Sequence, residues 1–77
     1  MKEKVLEILQ EIQPSYPFEE NVDFIEMGYL DSFDVVMLIS ELEETFSVAI
    51  SAIEIIPENF SSIQNICKLI EKSAHYK

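Results

Sequence analysis

Residues 30–46 read LDSFDVVMLISELEETF, and this segment has the clearest helical pattern of the chain. Its apolar side chains keep the spacing of one helix face for nearly four turns: Val35, Leu38, Ile39, Leu42 and Phe46. Asp31 is a favourable N-cap and Asp34 follows three residues later, so two carboxylates face the unbonded amides at the helix start. The pattern predicts a helix over residues 32–46, with the Ser32 side chain in its first turn and free to face solvent.

Another amphipathic helix is predicted earlier in the chain, over residues 3–13. Its apolar stripe consists of Val5, Ile8, Leu9 and Ile12. Pro14 and Pro17 end this helix, because proline lacks an amide hydrogen and restricts the residue before it. The loop over residues 14–30 is long enough that it should pack apolar residues of its own, namely Phe18, Val22, Phe24 and Ile25. Gly28, the only glycine, is the expected position of a positive φ angle.

The region after residue 47 allows two interpretations. The β-branched run from Val48 to Pro57 has the composition of a strand, but a lone strand would find no partner in a chain otherwise patterned for helices. We therefore expect an extended segment and then a short helix over about 53–56, ended by Pro57. Ser61 and Gln64 have capping-box spacing ahead of a last helix over about 62–72, whose apolar face carries Ile63, Ile66, Cys67 and Ile70.

These elements predict an all-α fold in a single domain spanning residues 1–77, with three longer helices, one short helix and a frayed tail over 73–77. The single cysteine, Cys67, allows no internal disulfide and fits a reducing cytoplasm. No continuous apolar segment suggests a signal peptide or a membrane span. We expect a soluble, cytoplasmic protein.

The chain is strongly acidic, with fifteen Asp and Glu against five Lys and Arg and a formal net charge of −10. Such a field repels nucleic acid. Acidity of this kind either keeps a small protein soluble or steers it to basic patches on partner proteins, and composition alone does not separate the two.

Catalytic and metal-binding patterns are not found in the sequence. The only histidine, His75, falls in the predicted tail, and one glycine cannot build a phosphate-binding loop. The stretch from Asp23 to Asp34 fails as a calcium loop, because Ile25 and Met27 stand where oxygen ligands are required. Cys67 on an apolar helix face is expected to be inert. We therefore predict no enzyme, no catalytic residue and no metal site.

The segment Leu30-Asp31-Ser32-Phe33-Asp34-Val35-Val36, with the helix that follows, resembles the signature of the acyl carrier protein family. The resemblance extends over roughly residues 23–70 and implies an acyl-carrier-protein-like helical bundle. It also implies that Ser32 carries a covalent 4′-phosphopantetheine arm, added from coenzyme A by a phosphopantetheinyl transferase, on which an acyl or aminoacyl group is held as a thioester. Residues implied in partner recognition are Asp31, Phe33, Glu41, Glu43 and Glu44.

Tyr29 and Leu30 both separate Gly28 from Asp31-Ser32, and Met37 stands at a helix position that is commonly acidic in carriers of fatty-acid synthesis. The chain is thus more similar to D-alanyl carriers and other free-standing aminoacyl or polyketide carriers. That similarity implies an adenylating ligase as loading partner, and acyltransferases or synthases with basic docking patches as recipients. The alternative hypothesis is a small acidic helical adaptor without an arm, in which Ser32 merely belongs to the helix start.

Overall fold

The computed structural model describes residues 1–75 and shows three α-helices. They are α1 (Lys2–Ile12), α2 (Ser32–Phe46) and α3 (Ile63–Lys72). Two short 3-10 segments, Ala52–Glu54 and Pro57–Phe60, lie between α2 and α3. Two strands of two residues each, β1 (Val48–Ala49) and β2 (Ala74–His75), pair antiparallel. In this part of the chain, no helix is both long enough and apolar enough to cross a membrane.

The core lies where α1 packs against α2 and α3. Apolar stripes of the three helices meet there, which removes their side chains from water at a gain of about 1.5–3 kcal/mol for each fully buried large residue. The helical core residues are Val5, Ile8, Leu9, Leu38, Leu42, Ile63, Ile66, Leu69 and Ile70. Because α2 is anchored through Leu38 and Leu42, its first turn is held at a fixed place on the surface.

The long loop between α1 and α2 is packed by aromatic side chains. Phe18 and Phe24 are buried, with ring centroids 5.0 Å apart in an edge-to-face arrangement. The rings of Tyr16 and Tyr29 stack with centroids 4.3 Å apart. Gly28 has the positive φ angle that the sequence predicts, at 77°. The loop therefore reaches α2 along a defined path.

The fold prediction requires correction after α2, because the protein is not purely α-helical. Val48–Ala49 is a strand, and its partner is Ala74–His75, within the segment predicted to be a frayed tail. The expected extended segment is thus a short strand at Val48–Ala49, because a partner for it lies near the far end of the chain. Ser73 is also held, since its hydroxyl donates to the Leu69 carbonyl at 2.7 Å. The last two residues of the predicted tail, 76–77, lie outside the described residues.

The predicted short helix over 53–56 is also wrong in extent. The chain forms a 3-10 turn at Ala52–Glu54, becomes extended at Ile56, and starts a second 3-10 turn at Pro57. Proline favours the first position of a helical turn, which explains the restart. Three bounds shift by one residue, since α1 spans Lys2–Ile12 where 3–13 was predicted, and α3 starts at Ile63 where 62 was predicted.

The N-cap of α3 also differs from the prediction. Ser62, not Ser61, is the cap, and its hydroxyl accepts a hydrogen bond from the Asn65 amide at 3.0 Å. Ser61 instead donates through its hydroxyl to the Glu58 carbonyl at 2.8 Å. The predicted pair of Ser61 and Gln64 is therefore replaced by Ser62 and Asn65, which have the same spacing one residue later.

Candidate functional site

The start of α2 is fixed by a reciprocal pair of hydrogen bonds between Asp31 and Asp34. The Asp31 carboxylate accepts from the Asp34 amide at 2.8 Å, and the Asp34 carboxylate accepts from the Asp31 amide at 3.3 Å. Ser32 is the first residue of the helix and its side chain is exposed. Within residues 1–75 its hydroxyl makes no side-chain hydrogen bond. The helix start is thus capped without Ser32, which leaves that hydroxyl free at the positive end of the helix dipole.

Asp34 is the one buried charged side chain among the described residues, with 5% of its surface exposed. Its Oδ2 atom accepts a hydrogen bond from Gln13 Nε2 at 2.9 Å. A buried carboxylate needs such partners, because burial without them costs several kcal/mol. Gln13 follows the last residue of α1, so this bond ties the end of α1 to the start of α2. No local pattern in the sequence indicates this role of Gln13, since its partner lies 21 positions away.

An apolar groove of about 450 Å³ opens directly beside Ser32. One side is the first two turns of α2, through Val35 and Val36, and the other is the segment Ile55-Ile56-Pro57. The remaining lining residues are Ile25, Leu30, Asp31 and Phe60. A groove of this size falls within the range of sites that bind small organic groups. A larger hollow of about 600 Å³ is lined by residues that include Leu6, Ile63 and Cys67, and Ser32 does not border it.

Large apolar side chains are exposed on α2 and on the segment before Pro57, at residues that line this groove or lie within two positions of one that does. Phe33 is 70% exposed, Val36 is 63% exposed and Ile53 is 81% exposed. Exposed apolar side chains scattered singly are ordinary, but a group of them beside a groove is typical of a contact surface. Phe33, one of the predicted recognition residues, is therefore available to a partner.

The predicted acidic recognition residues differ from one another. Asp31, Glu41 and Glu44 are exposed. Glu43 is half-buried, and its Oε2 atom accepts a hydrogen bond from the Ile50 amide at 2.9 Å. Glu43 therefore holds the chain segment that follows α2, a role that its place among other glutamates did not indicate.

The segments that form the site around Ser32 contain no basic residue of their own, although Lys72 of α3 reaches one of them in an ion pair with Glu54 at 3.0 Å. The sequence contains no Lys or Arg from Val5 to Cys67, so α2 and both sides of the groove carry only acidic charge. Lys2 and Lys4 lie on α1, and Lys68 and Lys72 lie on α3. The surface around Ser32 is thus apolar at its centre and acidic around it.

Cys67 is the only thiol of the chain and faces the hollow between α1 and α3. Burial raises the pKa of the Cys67 thiol above its ordinary value, which reduces the fraction of reactive thiolate. The structure therefore offers no activated thiol among its described residues.

The comparison with known families decides between a carrier and an adaptor. The family model "Phosphopantetheine attachment site" matches residues 2–70. The chain belongs to this family. As a member of the phosphopantetheine attachment family it is a carrier protein whose cofactor is covalently bound 4′-phosphopantetheine.

Curated relatives agree with this membership. The D-alanyl carrier protein of Lactococcus lactis subsp. cremoris is 31% identical over 74 residues, covering 94% of each chain. Those of Bacillus mycoides and Bacillus cereus are each 33% identical over 73 residues, covering 92% of each chain. The chain is similar to these carriers along nearly its whole length, and not in one motif alone.

The residues at the start of α2 fit the cofactor of the phosphopantetheine attachment family. A phosphodiester needs an accessible hydroxyl, and Ser32 presents one where unbonded helix amides favour an anion. The arm beyond the phosphate carries an organic chain, for which the adjacent apolar groove offers contact. When bound, this group supplies a thiol at the end of a flexible arm.

Proposed function

We propose that Ser32 is the attachment residue of this carrier and that the chain carries an aminoacyl group, delivering it to partner enzymes as a thioester. The observation that carries the proposal is the free, exposed hydroxyl of Ser32 between the two carboxylates that cap α2. The relatives' name, D-alanyl carrier protein, makes D-alanine the first cargo to test.

The capping carboxylates have a defined part in this proposal. Asp31 and Asp34 bond to each other's amides, so the backbone of Ser32 is held in the first helical turn before any partner arrives. Attachment would then use Ser32 Oγ as the nucleophile, with its proton passing to the transferase and adenosine bisphosphate leaving from coenzyme A. The chain supplies an oriented hydroxyl and the enzyme supplies the catalysis.

The helix start also favours the anionic product. The first amides of an α-helix have no partners within the helix, and a negative group beside them gains about 0.3–1 kcal/mol. Asp31 already satisfies the amide of Asp34. The other amides of the first turn would remain available to the phosphate oxygens at Ser32.

We further propose that partner enzymes recognise the surface around Ser32 by its shape and charge. Phe33 and Val36 form an apolar centre, while Asp31, Glu41 and Glu44 contribute negative charge on the same helix. Such a surface is complementary to an apolar socket surrounded by Lys and Arg. The partners proposed are the phosphopantetheinyl transferase, an adenylating ligase and an acyltransferase or synthase. We place this activity in the cytoplasm, where reducing conditions keep an arm's thiol free.

The attachment residue is tested by intact-protein mass spectrometry after incubation with coenzyme A and a broad-specificity phosphopantetheinyl transferase. Ser32→Ala should gain no adduct, whereas Ser40→Ala should gain one adduct as the parent does. Ser40 is the matched control, because it is another exposed serine of α2 two turns further on. Circular dichroism of both variants shows whether they fold. A well-folded parent that gains nothing from several transferases would favour the adaptor hypothesis.

The cargo is tested separately on the modified protein. A D-alanine-activating ligase with ATP should add one D-alanyl group to the arm, and hydroxylamine should release it because thioesters react with that reagent. Loading by another amino acid or by an acyl group, with D-alanine rejected, would refute the D-alanyl cargo. It would leave the attachment at Ser32 unaffected.

A further inference from the structure

The side of the groove opposite α2 is formed by a segment whose side chains are mostly exposed and contribute little to the core. We call residues 51–59 the wall segment. Ile50 before it and Phe60 after it are buried, but within it every side chain is exposed except those of Glu54 and Asn59, which are half-buried. Apolar burial therefore anchors the two ends and not the middle, where Ile55, Ile56 and Pro57 face the groove. Something other than packing must hold these residues at their distance from Ser32.

A polar clamp provides that support. Glu54 Oε1 lies 3.0 Å from Lys72 Nζ, and Lys72 is the last residue of α3. Asn59 Nδ2 donates to the Glu54 carbonyl at 2.6 Å and to Glu54 Oε1 at 3.2 Å. These three side chains connect the first 3-10 turn, the second 3-10 turn and α3. The hydrogen bond from Lys72 lowers the pKa of Glu54, and Asn59 contributes to the same effect, against a smaller opposing effect of partial burial.

The clamp connects the first half of the wall segment, residues 51–56, to the rest of the fold. In the part of the chain that the structure describes, only one other residue of the segment is hydrogen-bonded to a side chain outside it. That residue is Glu58, whose carbonyl accepts from Ser61 and Asn65. Glu58 follows Pro57, so it holds the end of the segment near α3. The half of the wall segment that carries Glu54 is connected to α3 through the ion pair with Lys72.

Resting on the proposed function at Ser32, we infer that the Glu54–Lys72 pair and Asn59 are positioning residues that set the width of the groove beside the attachment serine. Lys72 is suited to this because α3 is anchored by buried Leu69 and Ile70 in its last turn. The pair is partly exposed, with 31% of the Glu54 side chain and 54% of the Lys72 side chain accessible. An exposed pair contributes modestly, so the groove is held near one width and can still adjust to a partner.

A defect in binding and a defect in the chemical step change different kinetic constants. Ser32 is oriented by Asp31 and Asp34, which do not touch the clamp. If the transferase binds at the groove, as proposed above for partner enzymes around Ser32, loss of the clamp should weaken its binding without changing the reaction at the bound serine. This corresponds to a higher KM for the carrier at unchanged kcat.

The test compares Lys72→Met with Lys4→Met. The control removes the same charge from an ion pair of similar length, Lys4 with Glu7 at 3.2 Å on α1, which does not touch the wall segment. For Lys72→Met we expect roughly threefold faster amide hydrogen exchange within residues 51–59 and a roughly threefold higher transferase KM. Lys4→Met should match the parent in both. Lys72→Arg should restore most of the loss, because it keeps opposite charges together and leaves the bond from Asn59 to Glu54 in place.

The possible outcomes separate the two proposals. Equal KM and equal exchange in Lys72→Met and Lys4→Met, with a parent that is modified normally, would overturn the positioning role alone. A lower kcat at unchanged KM would also overturn it, since the clamp would then act on the serine itself. A parent that is never modified at Ser32 would refute the proposed function, and with it the inference that rests on that function.

Discussion

Replacing Gln13 with alanine removes the bond that joins the end of α1 to the start of α2. Gln13 Nε2 donates to Asp34 Oδ2 at 2.9 Å, and the other bond to that oxygen, from the Asp31 amide, is longer at 3.3 Å. Asp34 is only 5% exposed, so water replaces the lost donor poorly. A hydrogen bond to a charged group contributes about 1.5–3 kcal/mol. Because Gln13 itself is half-buried, we expect Gln13→Ala to lower the free energy of unfolding by about 1–2 kcal/mol.

Urea unfolding followed by circular dichroism measures this effect. In a domain of this size, a free energy of unfolding lower by 1 kcal/mol corresponds to a Tm lower by roughly 4–8 °C. Gln10→Ala is the matched control, since Gln10 is an exposed glutamine of α1, and it should change stability by less than about 0.5 kcal/mol. In an Asp34→Ala background the Gln13 substitution should cost much less, because the partner is already gone. Equal urea midpoints for Gln13→Ala and Gln10→Ala would show that the bond from Gln13 to Asp34 does not stabilise the fold.

Three further predictions concern Glu43, Cys67 and Glu54. Glu43→Ala should destabilise the fold by about 1–2 kcal/mol in the same urea assay, because the Ile50 amide loses its acceptor, while Glu44→Ala should be neutral. If both variants behave alike, Glu43 has no structural role. Cys67 should react with iodoacetamide more slowly than a cysteine in an unstructured peptide at mildly alkaline pH, since burial raises its pKa; an equal rate would contradict this. The pKa of Glu54 is lowered in the folded protein, so the contribution of its pair with Lys72 is present above the unfolded pKa and is lost as pH falls through the folded one. The difference in amide protection of residues 51–59 between the parent and Glu54→Gln should therefore disappear in acid. A difference that persists would show that the ionised Glu54–Lys72 pair is not its cause.

The parts of the fold that sequence analysis could predict depend on local signals. The range of α2 followed from the spacing of its apolar residues and from two aspartates three positions apart, and the structure gives it the same bounds. The positive φ angle of Gly28 likewise reflects a property of the residue itself. Ser32 lies in the first turn because Asp31 caps the helix one position earlier. These features need no knowledge of tertiary contacts.

What sequence analysis missed depends on contacts between distant residues. The partner of β1 lies at the end of the chain, so a strand over Val48–Ala49 could not be separated from an extended loop. The bond from the Ile50 amide distinguishes Glu43 from its neighbouring glutamates only after the chain has turned back at Ser47, which has a left-handed conformation. The clamp between Glu54 and Lys72 joins segments that no periodicity connects. In each case the chemistry of the side chain was visible in the sequence and its partner was not.

The central claim, that this carrier holds its cofactor on Ser32, is tested most directly by locating the group on the modified parent protein. The protein would be modified with coenzyme A and a transferase, digested with protease and sequenced by tandem mass spectrometry. We expect all of the phosphopantetheine on Ser32, in the peptide that also contains Asp31 and Phe33. Phosphopantetheine on any other serine, such as Ser40 or Ser62, with Ser32 unmodified, would contradict it.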